Sequence, residues 1–380
     1  MKKEDDFNPF LITGYQTPDL FCDREKETSQ LISNALNGTN TTLLSIRRMG
    51  KTGLLHHVNH QLQQKKKGIG IYVDIFDTES LRDFTNRLAS AMLLALPKRH
   101  PFWKNAMAFL MNLRPVISYD EFTGQPQVML DYAQPKQYEH TLQGILSFLE
   151  KQNKLVVVAI DEFQQITQYP EKNMEAILRT YVQKLRNVKF IFSGSSPHLL
   201  AEMFHHAKRP FFASTQSVEL SEIDEKQYYA FIATLFAKYK RKITEQSLDY
   251  ILSFTKRHTF YTQALCNRIF ANGDTNIQLD QVQLAAHQLM MQNETIYFQY
   301  RTMLTSNQWA MLKVIAKEDK LYQPNAKSIV QKYRLGSTSG TQRSIEALLS
   351  KEMIYSKETE TGKYYCVYDC FLARWLEQKQ

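Results

Sequence analysis

Cysteine is scarce: Cys22, Cys266, Cys366 and Cys370 are the four in a chain of 380 residues. No two of them have the two-residue gap of a zinc knuckle or a redox dithiol, which argues against the usual cysteine-borne metal and exchange chemistries. Cys366 and Cys370 have Tyr and Phe for neighbours and no histidine nearby, so they read as reduced thiols of a cytoplasmic protein. Long apolar runs are lacking as well. The longest, Leu155 to Ile160, is far short of the ~20 residues that cross a bilayer. Met1-Lys2-Lys3-Glu4-Asp5-Asp6 leads into no apolar signal segment, so a soluble, non-secreted chain with no membrane partner is expected. There is no internal repeat and no long low-complexity stretch. The ten histidines are scattered, and His56-His57 and His205-His206 lack metal-ligand partners. Adjacent residues on a helix point about 100° apart, so His56 and His57 would not share a metal on one face.

What is present fits a globular protein of two or three domains: 44.5 kDa, 43% hydrophobic and 22% charged. The net charge of +9 suits a polyanionic partner, such as nucleotide phosphates, nucleic acid or an anionic surface.

After an extended lead containing Asn8-Pro9-Phe10, a helix is expected from near Asp23 to Leu36, stopped by Asn37-Gly38-Thr39-Asn40. Four β-branched apolar runs follow: Thr41 to Ile46, Gly70 to Ile75 (with Asp74 and Asp77 at its end), Leu155 to Ile160 and Lys189 to Phe192. Helical patterns separate them: one from Gly50 onward, then Leu81 to Leu96, Tyr138 to Lys151 and Met174 to Leu185. Strands buried on both faces and spaced by helices predict an α/β fold with a parallel sheet and crossover helices. Val116 to Glu121 and Gln127 to Leu130 alternate around Thr123-Gly124 and predict an inserted β-hairpin, within about 114–131. It is either a surface ornament or an assembly element, and the sequence leaves both open.

From Ile223 to Leu304 the pattern is helical and aromatic-rich. From Ser306 it changes: helices at Trp309 to Ala316, Ala326 to Tyr333 and Ser339 to Leu349, then two short strands around Glu360-Thr361-Gly362. Three helices and a hairpin wing describe a winged helix-turn-helix domain. The expected division is residues 1–222 as the α/β domain, 223–304 as a helical domain and 305–380 as the winged helix.

Ser45-Ile46-Arg47-Arg48-Met49-Gly50-Lys51-Thr52 lies between a strand and a helix, where a phosphate-binding loop belongs. Its backbone N–H groups and the N-terminus of the following helix make an anion site. Lys51 is expected to reach the β- and γ-phosphates and Thr52 to ligate magnesium. The first position of the pattern is ordinarily Gly and here is Ser45. A second element, Leu155-Val156-Val157-Val158-Ala159-Ile160-Asp161-Glu162, ends a buried strand in two acids. Asp161 would serve the magnesium shell, and Glu162 would orient and deprotonate the attacking water. Either element alone has a bland reading, a chance Gly-Lys-Thr or a strand ended by acids for solubility. Together, in order and each at a strand's end, they favour the nucleotide reading, which makes residues 1–222 a P-loop NTPase domain and 223–304 its helical lid. In Phe190-Ile191-Phe192-Ser193-Gly194-Ser195-Ser196, Ser195 is placed to bond the γ-phosphate or the lytic water, or the segment is a simple turn.

These residues together resemble the archaeal-type ATPases of the AAA+/STAND lineage, a group also common in Bacteroides-type bacteria, over nearly the whole chain. The resemblance rests on Arg47 to Thr52 with Gly53, on Ile160-Asp161-Glu162-Phe163-Gln164 and on Ser193 to Ser196. It implies ATP and Mg²⁺ as ligands and hydrolysis of ATP to ADP and phosphate. Phe21-Cys22-Asp23-Arg24-Glu25-Lys26-Glu27 looks like the box that packs by the adenine, implying contacts from Phe21 and Arg24, although its usual Gly is Asp23 here. The family's Gly-His-Pro-type lid segment is matched by Lys256-Arg257-His258-Thr259, where His258 alone agrees. Arg209, in Lys208-Arg209-Pro210-Phe211, is implied as an arginine finger on a neighbouring subunit, with a plain ion-paired Arg as the alternative.

Tyr364 to Leu376 also resembles this family's ending. If the winged helix binds duplex DNA, Ser337, Thr338, Thr341, Gln342 and Arg343 would start the recognition helix, with Lys357 and Lys363 on wing phosphates. The alternative is an intramolecular latch. Two functions are therefore expected to compete: a Mg-dependent ATPase switch or motor coupling nucleotide state to lid and winged helix, and a nucleotide-stabilised DNA-binding regulator with little hydrolysis. An inactive nucleotide-binding scaffold is a third. A homo-oligomer, duplex DNA or a protein client are the partners these readings allow.

Overall fold

Five strands line up as one parallel sheet, because the buried runs are too apolar to face water on either side. The structure is a computed structural model and describes residues 7–95, 97–132 and 135–378. It divides into two compact units. One spans residues 14–221, and the other joins 222–380 to the lead before residue 14.

In the first unit, α1 (Glu25–Leu36) leads to β1 (Thr41–Leu44), α2 (Lys51–Gln64), β2 (Gly68–Asp74) and α3 (Leu81–Leu94). Leu96, included in this last helix by the sequence pattern, lies outside the described residues. Next come α4 (Pro101–Met111) and a hairpin of β3 (Val116–Tyr119) and β4 (Pro126–Met129). Then follow α5 (Pro135–Glu150), β5 (Leu155–Asp161), a 3₁₀ turn at Phe163–Gln168, α6 (Met174–Lys184), β6 (Val188–Ser193), α7 (Pro197–His205) and β7 (Gln216–Glu219). The sheet order is β2-β5-β6-β1-β7. Helix α4 and edge strand β7 were not anticipated.

Strand β5 shows how the layers form. Val156, Val158 and Ile160 join one core with α3, α5 and α6, while Val157 and Ala159 join a second with α1 and α2. Side chains alternate across a strand, so a run that is apolar at every position demands a helix layer on both sides. Burying each Val or Ile is worth about 1.5–3 kcal/mol. That outweighs the cost of the turn that follows, where Glu162 takes a left-handed φ of 58° at about 1–3 kcal/mol.

In the second unit, the lead is tied down by Phe10 against Phe236 and Phe270, and by a reciprocal pair in which Asn8 Nδ2 donates to the Asn267 carbonyl and Asn267 Nδ2 to the Phe10 carbonyl. Helices α8 (Glu225–Lys238), α9 (Glu245–Phe254), α10 (Thr259–Ala271), α11 (Leu279–Gln292) and α12 (Glu294–Met303) follow, with the short parallel strands β8 (Lys242–Ile243) and β9 (Asn276–Ile277). The winged helix comprises α13 (Ser306–Glu318), β10 (Leu321–Tyr322), α14 (Lys327–Lys332), α15 (Thr338–Ser350), β11 (Ile354–Thr359) and β12 (Gly362–Val367), closed by α16 (Cys370–Gln378). The wing has a third strand, β10, against β12. On α15, Ser337, Thr338, Gln342 and Arg343 are exposed, whereas Thr341 is buried and its hydroxyl donates to the Ser337 carbonyl. Thr341 thus belongs to the packing face, not with the residues open to a DNA groove. No helix among the described residues is long and apolar enough to cross a membrane.

Candidate functional site

The loop between β1 and α2 makes its turn with left-handed backbone at Arg48 (φ 64°) and Gly50 (φ 90°). Gly50 caps α2, so the first N–H groups of that helix open onto the loop. Ser45, standing where glycine is usual, is buried and its hydroxyl donates to the Ile46 carbonyl at 2.9 Å. The side chain folds back on its own loop, so the turn accommodates it. Met49 is buried with Leu54 and Leu55, which anchors the loop, while Arg47 and Arg48 are exposed. Lys51 is nearly buried. Loss of water lowers its ammonium's pKa from the ordinary lysine value, the charges of Asp161 and Glu162 oppose that, and Arg47 reinforces it.

Asp161 gathers the site. Its Oδ2 accepts from the Thr52 hydroxyl at 2.9 Å and the Tyr72 hydroxyl at 3.2 Å. Its Oδ1 accepts from the Ser193 hydroxyl at 2.6 Å and the Glu162 N–H at 3.1 Å. Three elements, α2, β2 and β6, thereby aim donors at one buried carboxylate on β5. Glu162 is fixed through one oxygen: Oε2 accepts from Gln164 Nε2 at 2.5 Å, Ser195 Oγ at 2.8 Å and the Ser195 N–H at 3.1 Å. Its Oε1 accepts no hydrogen bond among the described residues, which leaves a carboxylate oxygen for a water.

Gly194 makes this hold possible, because a Cβ there would sit 1.9 Å from Gln164 Oε1. Gly194→Ala is expected to swing Gln164 off Glu162 and change the hydrolysis rate, with a stability loss of about 1 kcal/mol or less, since the clashing atom ends a flexible side chain. Paired thermal melts and turnover assays check this; an unchanged rate would show that the Gln164 contact does not matter.

Tyr72, Asp74, Ser193 and Gln164 were not singled out for roles from the sequence. Asp74 had a visible signal, an acid ending an apolar run as Asp161 does, and the parallel register places the two directly opposite. Asp74 reaches solvent, yet its packed surroundings raise its carboxyl above the usual aspartate range, the Phe76 N–H resists this, the charges of Asp161 and Glu162 add to it, and Arg87 opposes it. A raised carboxyl binds more protons folded than unfolded, so stability falls as pH rises from the unfolded value, about 3.9, through the folded one. Asp74→Asn should therefore raise the melting temperature of nucleotide-free protein near neutral pH. Solvent screening keeps the gain small, and it should shrink as pH falls towards about 3.9. Melts across that range test it, and a gain independent of pH would contradict it.

Phe21 stacks on His57 with ring centroids 4.6 Å apart and lies against Gly53, where a Cβ would meet its ring at 3.3 Å. Tyr15 OH is 3.0 Å from His57 Nδ1, and the His56 ring lies 4.3 Å from Tyr72. Arg24 is buried, with one nitrogen on Glu27 at 3.0 Å and another on the Met49 carbonyl at 3.4 Å. It braces the phosphate loop from behind. Arg209 pairs with Glu175 at 2.5 Å and Glu202 at 3.4 Å. In this structure it is thus ion-paired within its own unit. His258 belongs to the other unit, where it stands at the N-cap position of α10 and packs on Tyr261.

No cluster of three or more His, Cys, Asp or Glu able to hold a metal occurs among the described residues. Mg²⁺ needs none: it takes hard oxygens, typically one or two carboxylates with substrate phosphates. A hydroxyl and a carboxylate 2.9 Å apart at the mouth of an anion-binding loop, with the Asp74 carboxylate in register with Asp161 on the neighbouring strand, fit that demand.

The family described as an ATPase domain predominantly from Archaea matches residues 21–256, and a winged helix domain family matches residues 295–378. No curated protein sequence matches the chain. Among solved structures, a Walker-type ATPase of Pyrococcus abyssi is similar with a TM-score of 0.67 at 18% identity, covering 97% of this chain and 99% of that one. The ORC2 protein of Aeropyrum pernix, in ADPNP and ADP complexes, gives 0.55 at 15% identity, over 98% of this chain and 97% of that one. The ORC1 protein of the same organism, in complex with DNA, gives 0.50 at 14%, over 98% and 96%. At these identities the likeness establishes the fold.

Proposed function

The chain belongs to the family of ATPase domains predominantly from Archaea, and from that premise we propose that it binds Mg·ATP in the loop from Ser45 to Thr52 and hydrolyses it. The observation that carries this reading is the convergence of Thr52, Tyr72 and Ser193 on Asp161 beside a Glu162 held through one oxygen only. Lys51 and the loop N–H groups take the phosphates. Thr52 and Asp161 would hold the Mg²⁺, which when bound would neutralise charge on the phosphates. Glu162 orients the attacking water through Oε1 and accepts its proton, while Ser195 keeps the other oxygen in place. The aromatic patch of Phe21 and His57 offers the base a flat apolar contact.

Residues 223–304 act as a lid, with His258 as its nucleotide-facing residue when closed, and 305–380 as a winged helix whose arrangement follows the nucleotide state. An arginine finger from Arg209 would require breaking its pairs with Glu175 and Glu202, so its action on a neighbouring subunit depends on assembly. The competing reading, a DNA-binding regulator, draws on the exposed Ser337, Thr338, Gln342, Arg343 and Lys363 and on the DNA complex of the Aeropyrum relative. Glu162 favours the ATPase, since a regulator that never hydrolyses has no use for a carboxylate positioned this way. The chain acts as a cytoplasmic protein.

Binding of a fluorescent ATP analogue with and without Mg²⁺ tests the cradle. Thr52→Val should remove most of the affinity gained from Mg²⁺ and leave Mg-free binding nearly unchanged. Equal Mg²⁺ dependence in both proteins would overturn Thr52 as a ligand.

A further inference from the structure

The two edges of the inserted hairpin are treated differently. On β4, the Val128 N–H donates to Ser90 Oγ at 2.8 Å and the next outward group, the Leu130 N–H, donates to Asn86 Oδ1 at 3.0 Å. Both acceptors lie on α3, so that edge is covered. In an antiparallel pair, alternate residues turn their backbone groups towards and away from the partner strand. Val128 points away from β3, so Ile117 opposite it points away from β4, and so does Tyr119. Among the described residues nothing pairs with that outer edge.

The same edge carries exposed apolar side chains: Val116 at 63%, Tyr119 at 54% and, at the tip, Phe122 at 97%. The tip is braced rather than loose. Asp120 Oδ1 accepts from the N–H of Phe122 at 3.1 Å, the N–H of Thr123 at 2.7 Å and the Thr123 hydroxyl at 2.8 Å, while Oδ2 accepts from Gln127 Nε2 at 3.2 Å. An uncovered, apolar strand edge is a template for pairing with another strand.

We propose that β3 is a self-complementary edge that pairs antiparallel with β3 of a second copy of this chain, about a two-fold axis at Ser118. Such an axis stands perpendicular to the sheet, so facing residues must point to the same side and their numbers must sum to an even value. Centring on Ser118 sets Ile117 of each copy against Tyr119 of the other. Both outward residues then exchange N–H···O=C bonds in two symmetric pairs. Centring on Ile117 would instead set Pro115 against Tyr119 and lose a donor, because proline has no N–H.

Charge agrees with this register. The strand is entered from Arg114 and left through Asp120 and Glu121. Antiparallel pairing lays the basic entry of one copy along the acidic exit of the other. It also brings Arg114 opposite Phe122, where a guanidinium over the ring covers the most exposed aromatic of the hairpin. Two short strands make a small interface, so the affinity belongs in the micromolar range, roughly 1–100 µM.

Equilibrium sedimentation of the full chain, up to about 100 µM, tests this. The wild type should dimerise without nucleotide. Ile117→Pro removes only an outward N–H and should weaken dimerisation at least tenfold with an unchanged melting temperature. Arg114→Glu, at an exposed position, should weaken it too, because it sets like charge against the acidic exit of the other copy. If Ile117→Pro fails to fold, Arg114→Glu decides alone. A wild type that stays monomeric, a dimer untouched by Ile117→Pro, or one untouched by Arg114→Glu would overturn the proposal. None of these readouts uses nucleotide, so their failure is separate from any failure of the ATPase reading.

Discussion

Glu162→Gln is expected to cut the single-turnover rate of ATP hydrolysis by about 10²–10⁴-fold while leaving ATP affinity within a few-fold. The amide has nearly the shape of the carboxylate, and its oxygen can still accept from Ser195 and Gln164, so the local structure should survive. What it loses is basicity at the oxygen that faces the water. General-base assistance is the contribution removed, and the expected drop is the usual size of that contribution. Rapid-quench assays with enzyme in excess read the chemical step directly. A drop below tenfold would move the base elsewhere, and a collapse of ATP affinity would mean that Glu162 serves binding rather than chemistry.

Lys51→Met should produce opposite effects with and without nucleotide. Truncating one partner of a buried, hydrogen-bonded charge pair costs about 2–5 kcal/mol, so ATP affinity should fall by roughly 30- to several thousand-fold. In the empty site the ammonium is a burden. Loss of water lowers its pKa more than Asp161 and Glu162 raise it. The sign follows: with a depressed folded pKa, the unfolded chain binds more protons between that value and the ordinary lysine value, so stability rises with pH through that window. At neutral pH the charged form still carries its penalty. Lys51→Met should then melt no lower than wild type without nucleotide, and should lose the nucleotide-induced rise in melting temperature. Melts with and without Mg·ATP check both halves. A lower melting point in the nucleotide-free variant would show that the carboxylates outweigh the burial.

The chemistry that lies within one segment was legible from the sequence. A strand buried on both faces appears as an unbroken run, which is why Leu155 to Ile160 ending in Asp161-Glu162 could be read directly, as could the loop ending in Gly50-Lys51-Thr52. What depends on register between strands was not legible. Tyr72 reaches Asp161 because β2 pairs with β5 at Asp74↔Asp161, a fact of alignment that neither segment encodes alone. Edge strand β7 was missed because only Val218 in it is buried, so the run carries no periodic signal. Helix α4 starts with Pro101 after the His100 cap and buries Phe102, Ala106 and Leu110, but Trp103, Met107, Phe109 and Met111 blur its apolar stripe. Thr341 was taken for a groove residue from its place at a helix start, and the turn of the helix puts it inward instead. Arg209 shows the same limit: an arginine after the fourth run could be a finger or an ion pair, and only the packing of α6 and α7 supplies Glu175 and Glu202.

Single-turnover hydrolysis of ATP by the wild-type chain, with Mg²⁺ and with the metal chelated, in the presence and absence of duplex DNA, decides between an ATPase and a non-hydrolysing regulator. Bound ATP should convert to ADP and phosphate in a reaction that requires Mg²⁺ and proceeds without DNA, even if slowly. A wild type that binds ATP yet never cleaves it, with Mg²⁺ and with DNA, would contradict the ATPase reading and leave a nucleotide-stabilised regulator or scaffold in its place.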